Sequence, residues 1–219
     1  AISAVPQILA DQQFTNDKNQ LQAVVVRIVA PGDYFTQDHV VDAEYMKKLA
    51  EAEKRNPVHV PTTANEIKGV REYFPGVKII SVSDSAFHWA KPDTAKYYSF
   101  DLDVANEHEI KRYGYHGLSY AYISRYMKEQ GILPEKLIAA HLGSGSSVSA
   151  ILNGLAMDNS MGYTPAEGLA MSTRIGTIDA AGALALKKAL KITSDEEFLL
   201  YINKQCGLLG ISGKSDDMR

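Results

Sequence analysis

Four charged residues stand where charge is costly in a globular chain: Arg27 inside an apolar run, Asp84 directly after another, His116 in a glycine-flanked loop, and Arg174 in a turn-rich stretch. Any one alone reads as readily as half of a structural ion pair. Together they have the composition of a phosphoryl-transfer site. Guanidinium groups neutralise the equatorial oxygens of the transferring group, a carboxylate organises Mg²⁺, and an imidazolium donates to the transition state. Gly143-Ser144-Gly145-Ser146-Ser147, between the apolar runs Ile138–Leu142 and Val148–Leu152, carries almost no side-chain bulk. Such a tip is either a plain turn or a place where backbone N–H groups converge on an anion. His141 precedes it, as a core histidine or as part of a site. Other chemistries fit poorly. The "SGKS" at Ser212–Ser215 has Leu208 where a phosphate-binding P-loop needs its first glycine, and lacks the strand-to-helix context. The six histidines and one cysteine show no zinc-type ligand spacing, so no residue is assigned as a metal ligand by spacing.

Strands and capped helices must hold these groups. Leu21–Val29 and Val77–Ser83 read as buried strands, with helical patterns between them at Asp42–Arg55, N-capped by Asp42, and at Thr63–Phe74, opened by a Thr63/Glu66 capping box. Strand, helix, helix, strand indicates an α/β fold, and Asp84 then sits at a strand end, where ligands bind in such folds. The Arg112–Gly117 loop leads into a helix ending at Gly131. Three antiparallel strands follow between about Leu137 and Asp158, the second turn being Asn153-Gly154 of type I′. Thr164, Pro165 and Glu167 suit the N-cap, N1 and N3 positions of a short helix. Asp179 caps the next helix, Ser194 and Glu197 form a capping box on another, and the last residues from Gly207 read as loop.

The 219 residues, 45% hydrophobic, suffice for one large domain or two small ones. A net charge of −3 and the absence of basic blocks argue against nucleic acid and a charged membrane surface as partners, leaving small molecules or other protein chains. The single cysteine, Cys206, excludes an intrachain disulfide framework and points to a reducing compartment, so a cytoplasmic location is expected. No run has the length of a membrane span, and the first residues lack the pattern of a secretory signal.

Several segments resemble the acetate kinase family, within the acetate and sugar kinase/Hsc70/actin superfamily. "SDSAFH" is similar to the family's Asp-Thr-Ala-Phe-His, "RYGYHGLSY" to Arg-Tyr-Gly-Phe-His-Gly-Thr-Ser-His, and "HLGSGSS" to its His-Leu-Gly-Asn-Gly hairpin. "MGYTPAEGLAMSTRIGTID" is similar to its Met-Gly-Phe-Thr-Pro-Leu-Glu-Gly through Thr-Arg-Ser-Gly, and the C-terminal "GLLGISGKSDDMR" also resembles a family segment. The order is the same over essentially the whole chain, though the family extends further at both ends. The resemblance implies an α/β, ribonuclease-H-like fold with mixed sheets and parts of two domains. Residues 1–87 would be the remainder of the first, 88–136 a helical connection, and 137–219 the start of the nucleotide-binding domain.

It also implies Mg²⁺-dependent, reversible transfer of the ATP γ-phosphoryl group to acetate, giving acetyl phosphate and ADP, in a homodimer. Asp84, His116 and Arg174 would be catalytic, Arg27 would bind the acyl phosphate, and Val29, Val58, Tyr115 and Pro165 would line the acyl pocket. His141 and Gly143, Ser144, Gly145 and Ser146, with Ser147, would hold nucleotide phosphates. The interdomain cleft would gather Arg27, Asp84, His116, His141 and Arg174. The chain departs from the family at "VRIVAPG" (Val26–Gly32), which keeps the arginine and loses two histidines, at Val58-His59-Val60-Pro61, at Tyr120 in place of a histidine, and at Ser144 in place of an asparagine. A binding module without turnover, or a dimerising remnant, would share these motifs.

Overall fold

The computed structural model describes residues 21–55 and 60–217. Val58, one of the acyl-pocket residues implied above, lies outside them. The described residues divide into two compact units, one holding residues 21–30 with those described between 37 and 83, the other residues 31–36 with 84–217.

In the first unit, β1 (Ala23–Ile28) pairs in parallel with β3 (Lys78–Ser83), and the short β2 (His39–Val40) pairs antiparallel on the other side of β3. The sheet is mixed, as expected. Helices α1 (Ala43–Arg55) and α2 (Val60–Tyr73) lie between β2 and β3 in the chain. Asp42 caps α1, its Oδ1 accepting from the Tyr45 N–H at 2.8 Å. Tyr45, Leu49 and Ala52 on α1, and Val60, Ile67 and Val70 on α2, recur at helical spacing and are buried with Val26, Ile28 and Ile79 of the sheet.

Two expectations change here. Thr63 does not cap α2 but lies within it, buried, because the apolar stripe already begins at Val60. β1 is buried on one face only: as an edge strand it alternates, with Val26 and Ile28 inward and Val25 (59% exposed) and Arg27 outward.

The second unit is built around an antiparallel sheet of β4 (Lys136–Leu142), β5 (Ser146–Leu152) and β6 (Leu155–Asn159) in that order. Asn153 (φ 51°) and Gly154 (φ 82°) both take positive φ, as a type I′ turn requires. The long helix α5 (Gly117–Glu129) packs against this sheet, with Tyr120 meeting Ala139 and Ile151 in a core that Phe87 and Leu137 extend. Before it come 3₁₀ turns at Asp33–Thr36 and Ala86–Ala90 and the short helices α3 (Asp93–Lys96) and α4 (Leu102–Glu107), and after the sheet α6 (Ala180–Ala189), α7 (Asp195–Lys204) and α8 (Gly207–Ser212).

Asp179 caps α6 through the Ala181 and Gly182 N–H groups, and the Ser194 hydroxyl accepts from Glu197 N–H at α7. The carboxylate on Ser194 is that of Glu196, not Glu197, so the box is not reciprocal. Thr164–Glu167 is a turn rather than a helix, held by Ala166 N–H to Thr164 Oγ1 at 3.3 Å. The stretch from Gly207 is helical, not loop, because the N–H groups of Leu208 and Leu209 are taken by the carbonyls of Met171 and Ser172.

Candidate functional site

The inward face of the β4–β5 hairpin carries Leu137, Ala139 and His141 on one strand and Ser147, Ser149 and Ile151 on the other, with His141 directly opposite Ser147. Those two lie at the tip end, where α5 begins. His116, at the N-cap of α5, takes a left-handed conformation (φ 60°), and Asp84 Oδ2 accepts its backbone N–H at 2.6 Å. Asp84 O accepts from Gly117 N–H at 2.8 Å, so Asp84 grips the start of the helix by both side chain and backbone. Both Asp84 and His116 are buried.

The His116 ring is fixed from two sides. His116 Nδ1 lies 2.9 Å from Ser147 Oγ, and the ring stacks on His141 with centroids 4.0 Å apart. His141 in turn has Nδ1 3.1 Å from Ser119 Oγ. Across the tip, a methyl group placed on Gly145 would lie 3.3 Å from His116 Nε2 and 3.2 Å from an Arg174 guanidinium nitrogen. The bare backbone of Gly145, the imidazole and the guanidinium therefore share one small space. Arg174 is aimed by Pro165 O, which accepts from its Nη1 at 3.2 Å, and its loop is tied to the tip by Ser172 N–H donating to Ser144 O at 3.2 Å. Beside the tip, Leu142, Gly143, Ser144 and Ser146 border a groove of about 690 Å³, with Leu169–Ser172 on its other side.

Tyr115 and Pro165 are both buried; the Tyr115 hydroxyl donates to Tyr163 O at 2.7 Å. Burial holds that phenol well above the usual tyrosine range. Arg27 and Val29 belong to the first unit, Arg27 exposed and Val29 half-buried. In the second unit, Asp84, His116, His141, Gly145 and Arg174 come together.

Asn159 escaped the sequence reading, and Ser147 and Tyr120 take other parts than it gave them. Ser147 is fully buried beneath His116, not displayed at the tip with Ser144 and Ser146. Tyr120 does more than remove an imidazole: its hydroxyl lies 2.7 Å from Ser147 Oγ. Asn159 is buried, with Oδ1 accepting from Met161 N–H at 2.9 Å and from Tyr115 N–H at 3.4 Å. Sequence neighbours do not reveal these contacts, because all but the Asn159–Met161 bond join residues more than 25 positions apart in the chain. Position in the hairpin could have marked Ser147, because it shares the inward parity of Ile151.

Among the described residues no group of three or more histidine, cysteine, aspartate or glutamate side chains could hold a metal ion. A Mg²⁺ ion that arrives on a nucleotide needs fewer protein ligands, often one or two carboxylates. Buried Asp84 fits that lesser demand.

An α/β chain with one mixed and one antiparallel sheet, similar over essentially its whole length to solved acetate and propionate kinases, falls in the ribonuclease-H-like class that includes actin, Hsc70 and the acetate and sugar kinases. The acetokinase family model matches residues 1–219, and the chain belongs to that family. It is 38% identical over its whole length to the acetate kinases of Caldanaerobacter subterraneus subsp. tengcongensis and Clostridium novyi. The chain spans 56% of each of those curated relatives. Among solved structures it is similar to a propionate kinase from Francisella tularensis (TM-score 0.86, 32% identity, 99% of this chain and 56% of that one). It is similar also to the acetate kinase of Entamoeba histolytica (TM-score 0.80, 31% identity, 100% of this chain and 55% of that one).

Proposed function

We propose that the protein transfers a phosphoryl group reversibly between ATP and acetate, forming acetyl phosphate and ADP with Mg²⁺. The observation that carries this reading is the convergence of Gly145, His116 Nε2 and the Arg174 guanidinium on one space. A phosphoryl group in flight carries its charge on equatorial oxygens, and catalysis is mostly positioning and charge neutralisation. A guanidinium has five N–H donors in a rigid fork, of which the Pro165 carbonyl takes one and so sets the fork's direction. His116 supplies an imidazole held by Ser147 and His141, and Gly145 lets the oxygens approach the backbone.

Asp84 would bind Mg²⁺ as it arrives with the nucleotide, the metal supplying charge neutralisation between phosphates. Tyr115 and Pro165, with Val29 and Val58, would line the acyl pocket, and Arg27 would bind the acyl phosphate. Gly143, Ser144 and Ser146 would hold nucleotide phosphates, with His141 alongside. A valine at position 29 leaves little room beyond two carbons, which favours acetate over propionate. The family resemblance further suggests a homodimer working in the cytoplasm.

Hydroxamate trapping of acyl phosphate from acetate, ATP and Mg²⁺ tests the reading. The protein as produced from its own gene is expected to be active, and Arg174→Ala to lower kcat by about 10³-fold, in the range lost with other phosphoryl-stabilising arginines. No acyl phosphate from the unaltered protein, with binding of acetyl phosphate intact, would favour a binding module.

A further inference from the structure

Beneath His116 three polar contacts follow one another: Nδ1 to Ser147 Oγ at 2.9 Å, Ser147 Oγ to the Tyr120 hydroxyl at 2.7 Å, and that hydroxyl to Ser147 O at 2.9 Å. Ser147 and Tyr120 are both fully buried. The direction of every bond follows from its last member. A carbonyl oxygen only accepts, so the tyrosine O–H must donate to Ser147 O. Its single proton being used, the tyrosine oxygen can only accept from the serine, and the serine oxygen can then only accept from the ring. Three hydrogens serve three contacts in this arrangement alone. The reverse direction sets the tyrosine oxygen against the carbonyl oxygen with no hydrogen between them, a buried repulsion.

We infer that the Tyr120–Ser147 pair is a positioning device that keeps the proton of the neutral His116 ring on Nδ1, so that the Nε2 lone pair faces Gly145 and Arg174. The inference rests on the phosphoryl-transfer reading for its purpose, though not for its geometry. Nε2 is the atom that faces Gly145 and Arg174. In the neutral ring it presents a lone pair there, and it becomes a donor only as the imidazolium. An anionic phosphoryl group would meet a donor at Nε2 only when the ring carries both protons, so the tautomer held by the pair decides what Nε2 offers it. The device belongs to this chain, because Tyr120 replaces a histidine of the family motif.

Nitrogen chemical shifts of the imidazole, on isotope-labelled full-length protein with His116 assigned through His116→Gln, read the tautomer without any assay. The neutral wild-type ring is expected to carry its proton on Nδ1. Tyr120→Phe releases the serine hydroxyl to donate to Nδ1, so the neutral ring should shift toward the Nε2–H form. That form can donate from Nε2 without being charged. Ser147→Ala, which removes the acceptor for Nδ1–H, should shift the tautomer in the same direction. A wild-type ring protonated on Nε2, or a tautomer unchanged in folded Tyr120→Phe and Ser147→Ala, overturns the inference even if the protein makes acetyl phosphate. The expected tautomer in a protein that makes none leaves the device standing and removes the functional reading.

Discussion

At Gly145 the space above one α-carbon is bounded by a cationic fork on one side and an imidazole nitrogen on the other, each little more than 3 Å from where a side chain would begin. Both contacts fall only a few tenths of an ångström inside ordinary van der Waals distance. Gly145→Ala should therefore fold with stability within about 1 kcal/mol of the wild type, while its methyl group occupies the place proposed for the phosphoryl oxygens. Acyl phosphate formation should drop by about 10²-fold, the scale of loss when reacting groups are displaced by about 1 Å. Denaturant unfolding alongside the hydroxamate assay checks both halves. A parallel loss of stability and activity would mean the glycine serves packing.

The elements that bring these residues together depend on glycine for two different reasons. Gly154 has φ 82° in the β5–β6 turn, and a methyl group there would make only an ordinary 3.4 Å contact with Leu133. Gly117 has no such backbone demand, but a methyl group would lie 2.3 Å from Asp84 O. Gly154→Ala should cost about 1–2 kcal/mol, the conformational penalty alone. Gly117→Ala should cost more, about 3 kcal/mol, because α5 must back away from the carbonyl that accepts its Gly117 N–H. Urea unfolding of the two variants orders them. Only Gly117→Ala should also disturb His116, whose backbone is held by the same aspartate.

Across the whole molecule, pH should act on stability through His88. It lies fully buried within the Ala86–Ala90 turn, with Nε2 2.9 Å from Tyr115 O. Burial, helped by nearby Lys91 and His116, pushes its pKa down to about 4 against the opposing pull of the Tyr115 carbonyl and Asp84. The folded state thus disfavours the protonated ring, and the unfolded chain binds the proton first as pH falls. The stabilisation is complete above about pH 6.5 and is lost as pH drops toward 4, at up to about 1.4 kcal/mol per pH unit. Thermal unfolding of His88→Gln, which keeps a donor for the Tyr115 carbonyl, should show a flatter dependence over that window than the wild type. No described helix is long and apolar enough to cross a membrane.

Local chemistry was readable from the chain alone where it depends on neighbours in sequence. Asp42 and Asp179 cap their helices, Asn153-Gly154 turns the hairpin, and Asp84 follows its strand, since each depends on backbone geometry within a few residues. The candidate site was legible as a set of residue types in a family-like order. Tertiary structure alone decided what each one touches: that Ser147 turns inward beneath His116, that Tyr120 supplies its hydroxyl to that serine rather than merely replacing a histidine, and that Gly145 lies under Arg174. Those contacts join residues 27 to 31 positions apart, and their geometry follows from the packing of α5 on the β4–β5 sheet. Side-chain direction within one element is set by local backbone period, but the partner it meets is set by how separate elements close around a shared core.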